Sequence, residues 1–345
     1  MVRVFVLTVA AILGACLVVG AADSLLTVHF IDVGLGDAIL VDYGVFEALI
    51  NGGSDETCRE YIEEYVDGFL EVVIVTQMDE NHIGGLSEVL TGFPVAAIYT
   101  NGSAPASDAF AAFATAAEES YVATVRAGDA IPLADLVFEV LHPAELTGDE
   151  AADSLVLTLS FRSWNFLFAG GIDATVEEQL IAAGLGRTDI LKVARYGASS
   201  ATSQGFLDVT QPIACIVSVA PNPYGYPAAE VFDRIGCAPR EAIVFWTHMH
   251  GDVILSVTED GSVVYRTSIP EDPLRFPCRI VVPEPPSEAQ ACDCTDDTLN
   301  CEDFACRQAA QACYEYCLEA TGRDVHGLDH DEDGIACEEL PEVCP

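Results

Sequence analysis

VHFIDVGLGDAILV at residues 28–41 and VIVTQMDENHIGGL at residues 73–86 decide the reading of this chain. In each, an apolar, β-branched run of strand length breaks into a loop of Gly, Asp, Asn or His before apolar residues resume. This is how a strand delivers polar side chains to the edge of a sheet. Working outward, similar runs recur as LLTVHFIDV, DAILVDY, EALING, EVVIVT, AAIYT, LVFEVL, SLVLTLSF, NFLFAG, ILKVA, ACIVSVA, AIVFWT, VILSVT and SVVYRT. Helical stretches are predicted at 57–66, 84–90, 108–120, 175–183, 203–208 and 228–235. Many strands with helices between them predict an α/β layered domain over residues 23–267, and no solenoid period is visible.

Composition narrows the function classes. The 345 residues give one large domain, or one domain with a small module. Hydrophobic residues at 51% against 20% charged exclude a disordered chain, and one long apolar run at the N-terminus excludes a polytopic membrane protein. The 55 Asp and Glu against 14 Lys and Arg leave a formal charge of -41, and Lys192 is the sole lysine. Such a surface repels phosphate backbones, which weighs against nucleic acid as a partner, and it suits a salty or calcium-rich exterior.

Thirteen cysteines, eight of them between Cys292 and Cys344, point to an oxidising compartment. Setting Cys16 aside leaves an even number, consistent with complete pairing. Arg3 and the uncharged run 4–22, ending in Gly20, Ala21 and Ala22, form a secretory signal with a cut after Ala22 as its simplest outcome. Two alternatives stand beside it: lipidation at Cys16 in Leu13-Gly14-Ala15-Cys16, and an uncleaved anchor. The expectation is an exported protein, extracellular or on the cell surface, that touches a membrane only through this segment.

Taken in order, VHFIDVGLGDAILV, LINGGS, VIVTQMDENHIGGL, VLHP, SLVLTL, FLFAGGIDATVEEQL, DILKVARYGAS, SVAPNPYGYPAAEVFDRI and VTEDGSVVYRT resemble the metallo-β-lactamase-fold domain of ComEC-type competence proteins and their secreted relatives. The resemblance implies an αββα sandwich, two facing sheets with helices outside, and a site at one edge for divalent ions such as Zn²⁺ or Mn²⁺. It also implies phosphodiester or nuclease-like hydrolysis, so family keeps open a nucleic acid that charge disfavours. Set against the family's Thr-His-x-His/Asp-x-Asp-His, this chain has Thr76, Gln77, Asp79, Asn81 and His82, of which Asp79 and His82 are the strong ligand types. The family's Gly-Asp is Gly170-Gly171, its His-His-Gly is Arg195-Tyr196-Gly197, and its Tyr-Gly-His-Pro is Tyr224-Gly225-Tyr226-Pro227. Asp173 reads as a helix cap, and Arg195 as a charge facing Asp79 or an anionic ligand, or else as a plain ion pair or a solvent-exposed side chain.

Zinc-activated water takes at least three protein ligands, so two are too few. A further candidate is Thr247-His248-Met249-His250-Gly251-Asp252: in an extended segment His248 and His250 share one face and can chelate, and the competing reading is a turn with exposed histidines. His29 and His142 match non-ligand positions. Asp32, Gly34, Gly36 and Asp37 match the family's opening turn, where glycines supply unusual dihedrals and carboxylates cap amides.

From 268 to 291 the text is proline-rich and reads as a linker. Residues 292–345 follow as a disulfide-rich module too small for a large core. Asp329, Asp331 and Asp333 alternate before Gly334 as in an EF-hand, but Glu338 stands where the pattern closes early. The run Asp-x-Asp-x-Asp-Gly-Ile-Ala-Cys-Glu after CEDFACRQAAQACY resembles the Excalibur extracellular calcium-binding domain. That resemblance implies Ca²⁺ held by the side chains of Asp329, Asp331, Asp333 and Glu338 and by the Ile335 carbonyl. Zinc on the cysteines competes, but the paired C-x₂-C knuckles are missing. Three readings follow: an exported calcium-binding protein whose main domain is a non-hydrolytic binding or scaffold module; an active extracellular metal-dependent hydrolase with a rearranged site; and an adhesive protein of the cell envelope.

Overall fold

In a computed structural model of the chain, residues 5–7, 24–278, 294, 299–304, 306–329, 335–337 and 339–341 are described. The strands, in chain order, are β1 (Phe5–Leu7), β2 (Ser24–Phe30), β3 (Ile39–Tyr43), β4 (Phe46–Ile50), β5 (Leu70–Val75), β6 (Val95–Thr100), β7 (Tyr121–Thr124) and β8 (Ala130–Leu133). They continue as β9 (Leu136–His142), β10 (Val156–Phe161), β11 (Trp164–Phe168), β12 (Ile190–Lys192), β13 (Ala214–Val217), β14 (Ile243–Trp246), β15 (Val253–Thr258) and β16 (Val263–Thr267). The helices are α1 (Thr57–Ile62), α2 (Glu80–Ile83), α3 (Leu86–Gly92), α4 (Asp108–Ala116), α5 (Ala174–Ala182), α6 (Gln204–Thr210), α7 (Ala229–Gly236), α8 (Thr247–His250) and α9 (Arg307–Thr321).

One sheet runs β1-β16-β15-β2-β3-β4-β5-β6-β7 and the other β14-β13-β12-β11-β10-β9-β8. Each joins an antiparallel half to a parallel half: the parallel pairs are β4–β5, β5–β6 and β6–β7 in the first sheet, and β11–β12, β12–β13 and β13–β14 in the second. Parallel neighbours need crossovers, and that is where α1, α2 with α3, and α4 fall in the first sheet and α5, α6 and α7 in the second.

Alternation along the strands sorts the side chains into layers. Val28, Phe30, Ile39, Val41 and Ile74 of the first sheet meet Phe138, Leu157, Phe166, Phe168 and Phe245 of the second in a central core. The intervening Leu40, Leu49, Val73 and Val75 turn outward onto Ile62, Leu86, Val89 and Phe113. On the other side Leu167, Leu191, Val217 and Val244 pack on Val176, Leu180, Phe206 and Val231. Strands buried on both faces explain the unbroken apolar runs in the sequence. The result is the expected metallo-β-lactamase-like αββα sandwich.

Four expectations need correction. Helix α1 stops at Ile62 and α4 at Ala116, each about a turn short of the 66 and 120 expected, so periodicity overshoots the C-terminal ends. Residues 247–250 form a one-turn helix rather than an extended segment. The first unit runs to Arg279, past the expected boundary at Thr267. The extra chain packs on the second sheet: Leu274 bridges Val244, Phe276 stacks on Phe232 at 4.5 Å, and Cys278 is bonded to Cys237. Complete cysteine pairing also fails, because Cys58 and Cys215 are free and buried. Cys58 lies in the layer outside one sheet and Cys215 in the layer outside the other, so two sheets separate sulfurs that a disulfide would need within bonding reach.

The second unit, Ile280–Pro345, has a small core of Ala310, Leu328 and Ala336 with Phe304 and Tyr314 against it. Disulfides Cys294–Cys317 and Cys301–Cys337 staple it, and Cys306 and Cys313 are also disulfide-bonded. Helix α9 ends on Gly322 at φ 73°, the left-handed closure that glycine permits. Cys16 and Ala22 of the expected signal lie outside the described residues. Among the described residues no helix is long and apolar enough to cross a membrane.

Candidate functional site

Loops leaving the carboxyl ends of β5, β11, β12 and β13 converge with the β2–β3 turn around a cleft of about 200 Å³, where α/β sheets commonly receive ligands. Leu35, Asp37, Gln77, Asn81, His82, Ala151, Gly170, Gly171, Lys192, Arg195, Tyr196, Tyr224 and Tyr226 line it.

After β5, Asn51 clamps Thr76: Asn51 Nδ2 donates to Thr76 Oγ1 at 2.8 Å, and Thr76 N donates to Asn51 Oδ1 at 2.8 Å. Asp79 then caps α2 by accepting from Asn81 N at 2.8 Å. The same carboxylate is saturated from two further sides. His82 Nδ1 donates to Asp79 Oδ1 at 2.7 Å and Gln77 Nε2 to Asp79 Oδ2 at 2.6 Å. Burial pushes the Asp79 carboxyl upward, but the hydrogen bond and charge of His82 and the amides of Asn81 and His82 outweigh it and hold the group below its ordinary range. Glu150 is raised, first by burial and then by the charge of Asp79.

Lys192 ends β12 in the floor of the cleft at 2% exposure. Its Nζ lies 3.1 Å from Asp37 Oδ1 and donates to Val193 O at 3.4 Å. Asp37 is 3% exposed, and its backbone is fixed by Asp37 N donating to Asn81 O at 3.1 Å. Asp37 is therefore the counter-ion of the sole lysine rather than the amide cap expected for it. Sequence reasoning passed over Lys192 as a functional residue, although one lysine set in the apolar run ILKVA was the available signal.

The next turn holds two consecutive non-glycine residues in left-handed conformation, Arg195 at φ 49° and Tyr196 at φ 57°. Holding both costs of order 1 kcal/mol each, and the turn brings both side chains to the cleft. The Arg195 guanidinium has no hydrogen-bond or ion-pair partner among the described residues, so it does not neutralise Asp79. Tyr196 OH stands 3.5 Å from His82 Nε2, and burial first, then the charges of Asp79 and Asp37, push its hydroxyl well above the ordinary range. An aromatic ladder leads outward: His82 to Tyr196 at 5.9 Å between ring centroids, Tyr196 to Tyr226 at 6.5 Å, and Tyr226 to Tyr224 at 5.8 Å. Tyr224 is 67% exposed at its outer end.

These residues do not fit a divalent-ion centre. His82 is the one neutral donor of ligand type in the lining, and Asp37 is bound to an ammonium that would repel a cation. A Cβ at Gly171 would collide with Gln77 Oε1, so the amide stands where a side chain at 171 would begin. Among the described residues the one cluster of three ligand-type atoms is Cys313, Cys317 and His326 of the second unit, and both of its cysteines are in disulfides. Sulfur in a disulfide is not a thiolate, so zinc on the cysteines is not supported.

Of the other candidates, His248 and His250 are corrected: in a helical turn residues two apart point to different sides. His250 is fully buried, its Nδ1 hydrogen-bonded to the Trp246 backbone and its Nε2 to Asp272 O at 3.2 Å, while His248 is exposed beside Trp246. Asp173 caps α5, accepting from Thr175 N at 3.0 Å and Val176 N at 3.3 Å. His29 Nδ1 meets Tyr61 OH and His142 Nε2 donates to Ala152 O, both structural. Asp331, Asp333 and Glu338 of the expected calcium loop lie outside the described residues. Asp329 is buried and accepts from Tyr314 OH at 3.1 Å, and Ile335 is 41% exposed.

No protein-family profile matches the chain. Recombination protein 2 of Haemophilus influenzae is 26% identical over 168 residues, 48% of this chain and 20% of that protein, so the chain spans about a fifth of that relative's length. The solved metallo-beta-lactamase fold protein YhfI from Bacillus subtilis is 11% identical with a TM-score of 0.44, over 64% of this chain and 96% of that one. Zn(2+)-bound PqqB from Methylobacterium extorquens is 15% identical with a TM-score of 0.42, over 61% of this chain and 85% of that one. The fold is metallo-β-lactamase-like by its layer order and sheet topology, and the sequence similarity to a ComEC-like protein is weak.

Proposed function

We propose that the chain is an exported calcium-binding protein whose main domain is a non-hydrolytic binding or scaffold module. The observation that carries this is the buried Lys192–Asp37 pair at 3.1 Å in a cleft with a single histidine. An ammonium there supplies the positive charge that a divalent ion supplies in a hydrolase, and it occupies a carboxylate that such an ion would need. Export rests on the N-terminal run and the cysteines, and calcium on the spacing of Asp329, Asp331, Asp333, Ile335 and Glu338. Its partner would be an extracellular ligand or a component of the cell envelope.

One observation favours the second reading, a metal-dependent extracellular hydrolase. Asp79 behind His82 Nδ1 resembles the carboxylate that orients a metal-binding histidine. The deciding test is metal content of the full-length oxidised protein after exposure to calcium, zinc and manganese. Calcium alone is expected. Near-stoichiometric zinc or manganese that disappears in His82→Ala would overturn the non-hydrolytic reading.

A further inference from the structure

The cleft does more than lack ligands: it concentrates cations in a chain that has few. Of the 14 Lys and Arg set against 55 Asp and Glu, two line this one cavity; Asp37 is the lining carboxylate and is paired with Lys192, while Asp79, at the cleft's edge, is tied up by His82, Gln77 and the Asn81 amide. Lys192 has that carboxylate and a carbonyl as partners, while Arg195 has none among the described residues. A guanidinium held at a cleft in a left-handed turn presents a fixed fork of donors suited to two oxygens of one acid group. Beside it, the Tyr196–Tyr226–Tyr224 ladder offers ring faces from the interior to solvent. The volume of about 200 Å³ falls below the ~300 Å³ at which drug-sized pockets begin and suits about one ring and its acid group.

We propose that this cleft is a metal-free oxyanion site for a small ring-bearing acid, such as a sugar phosphate or a sugar carboxylate. Its acid oxygens are received by Arg195 with the Lys192 charge behind, and its ring stacks on Tyr224. The net charge of the chain repels anions, so the site selects through the directed donors of the Arg195 fork rather than through a long-range field. This inference rests on the non-hydrolytic reading of the same cleft.

The test is calorimetric titration of the full-length protein in EDTA with glucose 6-phosphate, glucuronate, inorganic phosphate and neutral glucose. The two sugar acids distinguish phosphate from carboxylate as the preferred group, and at least one is expected to bind at about millimolar concentration or better, with glucose at least about tenfold weaker. Arg195→Gln should weaken that binding about tenfold, and Tyr224→Ala, at an exposed position that leaves the fold intact, should weaken the sugar acids while leaving inorganic phosphate unchanged. Absence of binding by both sugar acids at about 10 mM, or affinity unaltered in Arg195→Gln, would sink the proposal while leaving the non-hydrolytic reading standing. Binding that EDTA abolishes and zinc restores would overturn both.

Discussion

Two charged side chains at 2% and 3% exposure, Lys192 and Asp37, show how the cleft is balanced. Removing Asp37 strands the Lys192 ammonium at 2% exposure, so Asp37→Ala should lower stability by about 3 to 5 kcal/mol. The double variant Asp37→Leu/Lys192→Met should recover most of that loss in urea unfolding, because it removes both charges together. A second residue sets a pH dependence. Glu47 is 3% exposed, and burial first, then the charges of Glu71, Asp42 and Asp67, raise its carboxyl to about 7. The folded state therefore holds a proton that the unfolded chain releases near 4.5, so the favourable contribution is complete below that pH and is lost as pH rises through 7. Glu47→Gln should abolish this decline and leave the protein more stable at pH 8 by about 1 to 2 kcal/mol once solvent screening is allowed for. Unfolding midpoints measured from pH 4 to 8 on both proteins decide it.

At the scale of elements, caps and staples fix what periodicity only suggests. Asp173 accepts two backbone amides at the start of α5, so Asp173→Ala should cost about 1 kcal/mol and leave ligand binding at the cleft unchanged. The segment after β16 was legible as proline-rich but not as part of the domain. Proline forbids a regular ladder, yet Leu274, Phe276 and Cys278 each find a partner on the second sheet or on α7. Replacing Cys237 and Cys278 together by serine should lower stability by about 2 to 4 kcal/mol in calorimetry, through the freedom returned to the unfolded chain. No loss would mean that the Phe232–Phe276 stack holds the segment by itself.

For the molecule as a whole, calcium and the disulfides are expected to act on the second unit. Its core is small, so ion binding should appear as protection of the polypeptide rather than as a change of fold. Saturating calcium, at about a hundredfold over its dissociation constant, should stabilise that unit by about 2.7 kcal/mol and slow amide exchange in α9. Asp331→Ala/Asp333→Ala should remove the calcium effect and leave exchange in the central sheets as it was. Equal protection in that variant would place the ion elsewhere.

The sequence by itself determined the layer class, because strands buried on both faces must be apolar at every position and crossovers must be helical. It also shows where the chain departs from the motifs it resembles, since Gly171, Arg195 and Tyr226 are identities and need no coordinates. Tertiary structure alone decided what those residues touch. That Lys192 meets Asp37, from segments more than a hundred residues apart, depends on how the two sheets face each other. His248 and His250 fell to the same limit: their spacing permits chelation in a strand, and only local backbone geometry shows a helical turn that parts them. Spacing along a chain fixes which side chains share an element, and packing between elements fixes which of them share a site.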